Sequence, residues 1–212
     1  MLSKILYLCM MFIHAQLNSF TIMLDPAGDA KQAGRSLPNG FERGATFQFA
    51  QALKQQLELQ SPDINIILTK KAGETLEELQ TANFANNLLV DLLLNINFYE
   101  ETSIKPSIFI YYYQNQSFFN QSQDFALDFY PYHQAFIFNF DKTKLYANHM
   151  QKCLSQAQYK HYFTCQPAYG IPFRPLVGII APAIGIEIGL KKNGWEPYLQ
   201  PIAKSLSEII CR

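Results

Sequence analysis

Short apolar runs alternate along this chain with longer stretches of helical period. Residues 20–24 form an apolar run that stops at Asp25-Pro26 and reads as a strand. In residues 42–59, Phe47, Ala50, Leu53 and Leu57 fall on one helical face. Residues 64–69 read as a buried strand, 75–89 as a helix, 91–97 as a buried strand that begins in leucines, and 108–113 as another strand. Residues 114–128 are polar and aromatic with no clear period. Residues 136–140 read as a strand and 144–158 as a helix. Two apolar runs, 176–180 and 183–188, precede a closing helix at 195–210. Between the first strand and the first helix, residues 28–40 are rich in Gly, Pro and Asn and form a surface loop of functional interest.

Strands alternating with helices predict an α/β fold: a single domain with a mostly parallel or mixed twisted sheet and helices on both faces. In such sheets ligands bind beyond the carboxyl ends of the strands. Polar residues occupy such ends in three places: residues 25–29, residues 95–97, and Glu187.

With 212 residues, 49% of them apolar and 16% charged, the chain can bury a core of ordinary size. Its formal net charge of zero argues against a nucleic-acid surface, which needs a basic excess. Lys4 followed by an apolar run at 5–13 reads as an export signal over residues 1–15, cut after Ala15. That run is too short to span a bilayer, so the mature domain, 16–212, is expected in the periplasm or cell envelope with no transmembrane span. Cys9 lies inside the signal. Cys153, Cys165 and Cys211 remain, which allows one disulfide and one free thiol, with Cys153 and Cys165 the nearest pair.

Five motifs in order resemble the zinc-dependent N-acetylmuramoyl-L-alanine amidases of peptidoglycan. The family's first strand ends Asp-Pro-Gly-His-Gly; here LDPAGDA puts Gly28 at the His position. The family's Glu ligand opens a helix after a Gly-rich loop; here NGFERGATFQFAQAL puts Glu42 there. A strand ending Leu-Thr-Arg corresponds to IILTK, ending at Lys70. The Ala-Asn, Ala-Asp and Ser-Ile-His-Ala-Asn elements correspond to ANNLLVDLLLNINFY, where Ala85, Asn86 and Asp91 match and the second His falls on Asn97. A Pro-Ala strand with its catalytic Glu corresponds to APAIGIEIG, with Glu187 at that position. The resemblance spans about 20–210, with a divergent insertion at about 114–172.

The resemblance implies hydrolysis of the amide between muramic acid and L-alanine. Zinc polarises the carbonyl and activates water, and a carboxylate moves the proton. Glu42 would be the one remaining ligand and Glu187 the proton carrier. Gly28 has no side chain, and the Asn97 amide is a poor zinc ligand beside imidazole. Zinc is therefore expected not to bind at that site. Asp29, Glu42 and one of His133, His149 or His161 could rebuild a site. Glu42 is also explained by its helix start, where the dipole favours a carboxylate. Glu187 interrupts an apolar run, so it lines a cleft or pairs with a cation such as Arg174 or Lys191.

Three functions follow. The first is an impaired or inactive amidase-like cell-wall protein that acts as a binding or regulatory module, its partner peptidoglycan, a muropeptide or another cell-wall protein. The second is an active metal-dependent amidase with a rebuilt site. The third is an interaction protein using the aromatic segment 114–132.

Overall fold

A computed structural model describes residues 19–77, 79–115 and 131–211. Residues 1–15, read above as an export signal, with Cys9, and most of segment 114–132 lie outside the described residues.

The strands are β1 (Thr21–Pro26), β2 (Ser36–Leu37), β3 (Gly40–Phe41), β4 (Asn65–Leu68), β5 (Leu92–Glu100), β6 (Ser107–Tyr113), β7 (Thr164–Ile171) and β8 (Ala183–Leu190). The helices are α1 (Glu42–Gln60), α2 (Gln80–Asn87), α3 (Phe140–Leu154) and α4 (Glu196–Ile210). Six strands form one sheet in the order β4-β1-β5-β8-β6-β7, and β2 and β3 form a small hairpin. All pairs in the large sheet are parallel except β6 with β8. The expected single α/β domain with a mixed, mostly parallel sheet is therefore the observed one.

The two faces of the sheet differ in chemistry because side chains alternate along each strand. Ile22, Leu24, Leu94, Ile96, Phe98, Ile110, Ile186 and Ile188 point to one face and are buried there. They pack against α1 through Phe49 and Leu53, against α3 through Met150 and against α4 through Ile202 and Leu206. Burying each such side chain contributes about 1.5–3 kcal/mol, so this layer carries most of the stability. On the other face a smaller cluster joins Met23 and Leu93 to Ala82 and Ala85 of α2, and to Phe136, Leu176 and Ile179. It covers only the start of β1, β5 and β8. Past it, that face carries Asp25, Asn95, Asn97 and Glu187.

Two expectations need correction, and one strand was missed. Residues 136–140 are not a strand. Tyr132–Asn139 is a 3-10 helix that runs into α3, so the aromatics there pack as a helical turn: Phe136 lies edge-on to Tyr113, at 5.0 Å, and to Phe140, at 5.8 Å. The helix expected over 75–89 shrinks to α2, because Leu79 at its start has left-handed φ of 63°. Strand β7 was not anticipated, since its exposed edge position gives it no continuous apolar run. No disulfide forms among the described residues: Cys153, Cys165 and Cys211 are all thiols. No helix of the described residues is long and apolar enough to cross a membrane.

Candidate functional site

The cleft sits where the sheet switches from one face of cover to open surface. It measures about 730 Å³, and its lining includes Asp25, Gly28, Glu42, Lys70, Asn95 and Asn97. These belong to the carboxyl end of β1, the segment after β4, the middle of β5, the β1–α1 loop and the start of α1, close to where an α/β sheet is expected to hold a ligand.

A chain of polar contacts fills its floor. Thr69 donates from Oγ1 to Asp25 Oδ1 at 2.7 Å, and Lys70 Nζ lies 3.7 Å from the same oxygen. Asn95 Nδ2 donates to Asp25 Oδ2 at 2.8 Å, and Asn97 Nδ2 donates to Asn95 Oδ1 at 2.6 Å. Asn97 Nδ2 also donates to Ile186 O at 3.2 Å. Register explains the convergence, because Asp25 is paired with Asn95 across β1 and β5, and Asn97 with Glu187 across β5 and β8. Asp25 and Asn95 are buried, so the network is one in which each member needs its partners.

Glu42 is buried at the start of α1, and both its carboxylate oxygens accept from backbone. Arg35 N donates to Oε2 at 3.0 Å and Phe98 N donates to Oε1 at 2.9 Å. The carboxylate thereby ties the β1–α1 loop and the end of β5 to the first turn of α1. Thr46 adds a second tie, donating to Ala27 O at 2.8 Å.

Glu187 faces the open side of the sheet, and its partner is neither of the cations expected from sequence. Arg35 Nη1 lies 2.5 Å from Glu187 Oε1, and the Tyr111 hydroxyl donates to Oε2 at 2.9 Å. Burial works against the charged Arg35 guanidinium, but the bond and charge of Glu187 outweigh it and hold its pKa above the ordinary value. Burial, and then the bond to Glu187, push the Tyr111 phenol upward. Around this pair stands an aromatic wall. Phe109 stacks on Tyr111 with centroids 6.2 Å apart, and Tyr111 lies 5.1 Å from Phe173. Phe173 can lie on the sheet because Gly185 is beneath it; a Cβ there would stand 2.5 Å from Phe173 Cε1. Arg35 and this wall carry no sequence motif of their own, and only the fold brings them to Glu187.

The resemblance implies zinc, so the donor set can be tested against it. Gly28 has φ +76°, and a Cβ at that position would lie 2.6 Å from Arg43 Cβ and 3.1 Å from Gln32 O. An imidazole is therefore excluded there by the backbone and by Arg43, which itself holds the loop by donating to Asp29 O and Ala30 O. Asn97 spends its amide hydrogens on Asn95 and Ile186, and Glu42 has both oxygens on backbone amides. Asp29 lines the cleft but its Oδ1 is engaged by its own loop, accepting from Lys31 N at 2.8 Å and Gln32 N at 2.7 Å, an Asx turn. His133 lines the cleft; His161 is exposed and lies against Tyr162. His149 sits elsewhere, between α3 and α4. These residues do not fit a three-ligand zinc centre of the kind such catalysis uses.

No protein-family model matches the chain, and no curated protein matches it. Solved structures do. An N-acetylmuramoyl-L-alanine amidase from Clostridium difficile 630 superposes with TM-score 0.67 at 19% identity, covering 92% of this chain and 98% of that one. The amidase AmiC2 of Nostoc punctiforme gives TM-score 0.67 at 14% identity, covering 91% and 98%. The catalytic domain of CwlV, an N-acetylmuramoyl-L-alanine amidase from Bacillus (Paenibacillus) polymyxa, gives 0.64 at 16% identity, covering 90% and 98%. With nearly the whole of each chain superposed, this protein has the fold of the N-acetylmuramoyl-L-alanine amidases.

Proposed function

We propose that this protein is an amidase-like cell-wall protein that binds peptidoglycan fragments in the cleft and does not hydrolyse them through a zinc-bound hydroxide. The observation that carries the reading is the chemistry of the cleft floor. Where the resemblance calls for two imidazoles and a free carboxylate, this chain has a blocked Gly28, an Asn95–Asn97 amide chain, and a Glu42 committed to backbone amides. The fold similarity supports the cell-wall setting. Export to the envelope, with the signal over 1–15, belongs to the same proposal.

The cleft retains what a muropeptide needs. Lys70 and Arg174 line it and can meet peptide carboxylates. Asn97, its amide hydrogens turned to Asn95 and Ile186, offers its Oδ1 as an acceptor for the N–H of an N-acetyl or lactyl amide. On the adjoining open face, Phe109, Tyr111, Tyr169 and Phe173 offer ring faces on which a sugar can lie. Glu187, clamped by Arg35 and Tyr111, orients this surface.

The test is a paired assay on purified mature protein. Calorimetric titration with a soluble muropeptide should give saturable binding that weakens at least tenfold in Lys70→Ala, while no peptide is released from sacculi. Peptide release by the wild type that vanishes in Glu187→Gln would overturn the reading and establish an active amidase.

A further inference from the structure

Away from the cleft, on the helical layer, three side chains converge on one point. His149 and Cys153 are one turn apart on α3, and Glu208 faces them from α4. Cys153 Sγ lies 3.3 Å from His149 Nε2 and 3.0 Å from Glu208 Oε2, and His149 Nε2 lies 3.3 Å from Glu208 Oε2. Among the described residues, this is the one trio of His, Cys, Asp or Glu whose ligand atoms meet this closely. His149 and Cys153 are buried, and Glu208 is partly open to a surface depression of about 510 Å³. Cys211, one turn beyond Glu208, lines the same depression.

Two chemistries could use such a trio. A nucleophilic triad needs the imidazole to hold the thiol with one nitrogen and the carboxylate with the other. Here both partners approach Nε2, so the relay geometry is absent. A metal site needs the reverse, three donor atoms around one centre. For tetrahedral zinc, with Zn–S about 2.3 Å and Zn–N and Zn–O about 2.0–2.1 Å, neighbouring donor atoms stand about 3.3–3.6 Å apart. The His149–Glu208 edge of 3.3 Å already matches, the Cys153–His149 edge of 3.3 Å needs to open by about 0.2–0.3 Å, and the Cys153–Glu208 edge of 3.0 Å by about half an ångström.

We propose that His149, Cys153 and Glu208 bind a thiophilic divalent ion such as Zn²⁺, with Cys211 or water as the fourth ligand. Binding displaces the Cys153 thiol proton to solvent, so a thiolate and a carboxylate neutralise the ion. Lys204 lines the depression too and opposes the cation by its charge, a cost the two anionic ligands outweigh. The ion cross-links α3 to α4, two of the three helices that pack on the main core. This site is independent of the cleft and of the muropeptide reading.

The experiment is Co²⁺ titration of the reduced, chelator-stripped full chain, followed by displacement with Zn²⁺. One equivalent should bind with a thiolate-to-cobalt charge-transfer band and tetrahedral d–d bands, and Zn²⁺ should bleach both and raise Tm. Cys153→Ser should abolish the charge-transfer band where water is the fourth ligand and at least halve it where Cys211 is, and Glu208→Gln should weaken affinity at least tenfold. Asn97→Ala, in the cleft, should change neither. Loss of roughly half the band intensity in Cys211→Ser identifies that thiol as the fourth ligand; unchanged intensity assigns water. Folding of each variant is checked by circular dichroism, and if Cys153→Ser does not fold, the partly exposed Glu208→Gln decides. No thiolate band in folded wild-type protein, or a band untouched by Cys153→Ser and Glu208→Gln, overturns the proposal.

Discussion

Arg35 Nη1 lies 2.5 Å from Glu187 Oε1, and this ion pair joins the β1–α1 loop to the open face of the sheet. The Arg35 side chain is half-exposed and that of Glu187 mostly buried, so solvent screens the pair from one side only. A double-mutant cycle with Arg35→Ala and Glu187→Gln, followed by urea unfolding, should give a coupling of about 1 kcal/mol at low salt. The coupling should shrink as ionic strength rises. Zero coupling at low salt would mean that the contact orders the loop without stabilising it.

Glu42 acts in this structure as a backbone clamp. Glu42→Ala removes the acceptor for Arg35 N and Phe98 N together. A buried, unsatisfied N–H costs about 1–3 kcal/mol; the Phe98 amide is buried and the Arg35 amide only partly so, and a combined loss of about 2–5 kcal/mol is expected. Glu42→Gln keeps one good acceptor and sets its own NH₂ against the other amide, so its loss should be intermediate. Equilibrium unfolding in urea measures both. Wild-type stability for Glu42→Ala would remove the clamp role and restore the carboxylate to ligand chemistry.

These side chains show where the sequence was legible and where it was not. The order of strands and helices was, because β1, β5 and β8 are apolar on the packed face and α1 and α4 carry helical periods. Their registers also bring Asp25, Asn95, Asn97 and Glu187 to one face, as placement at strand ends suggested. The partners were not legible. Arg35 lies in a loop with no period, and nothing local links it to a residue more than a hundred positions on. Glu42 presents as a helix-start carboxylate whether it caps, clamps or ligates; only three-dimensional distances choose. Strand β7 and the 3-10 turn at Tyr132–Asn139 failed for a related reason, since edge strands and tight turns rich in aromatics lack the period that marks buried strands and helices. The His149–Cys153 pair has ordinary helical spacing, and Glu208 meets it only after α3 and α4 pack.

Placing histidines at positions 28 and 97 should not build a zinc centre. Asn97→His alone places an imidazole beside Asn95 but leaves Gly28 empty and Glu42 engaged. Adding Gly28→His forces a side chain into a left-handed backbone, with Cβ 2.6 Å from Arg43 Cβ. The strained residue alone should cost about 1–3 kcal/mol. Elemental analysis of the double variant, made in a Cys153→Ser background to silence the helical site, should find well under one zinc per chain. One tightly held zinc would show that Arg43 and the loop yield readily.

Acid should loosen the β1–α1 loop through Asp29. The backbone hydrogen bond from Gln32, foremost, holds the Asp29 carboxyl below its ordinary value of 3.8, with the Lys31 amide and the Lys70 charge acting in the same direction. A carboxyl with a lower pKa when folded binds fewer protons folded than unfolded. Its contribution is therefore complete above the unfolded value, and is lost as pH falls through the folded one. Protection of the Lys31 and Gln32 amides from hydrogen exchange, corrected for the intrinsic pH dependence, should be constant near neutrality and fall below pH 3.8. Asp29→Asn keeps the Oδ1 acceptor and the Asx turn but carries no charge. Its protection should start lower and stay flat across the same range. If the acid-dependent fall persists in Asp29→Asn, the titrating group is another carboxyl, and the loop is held by Arg43 and Glu42 rather than by Asp29.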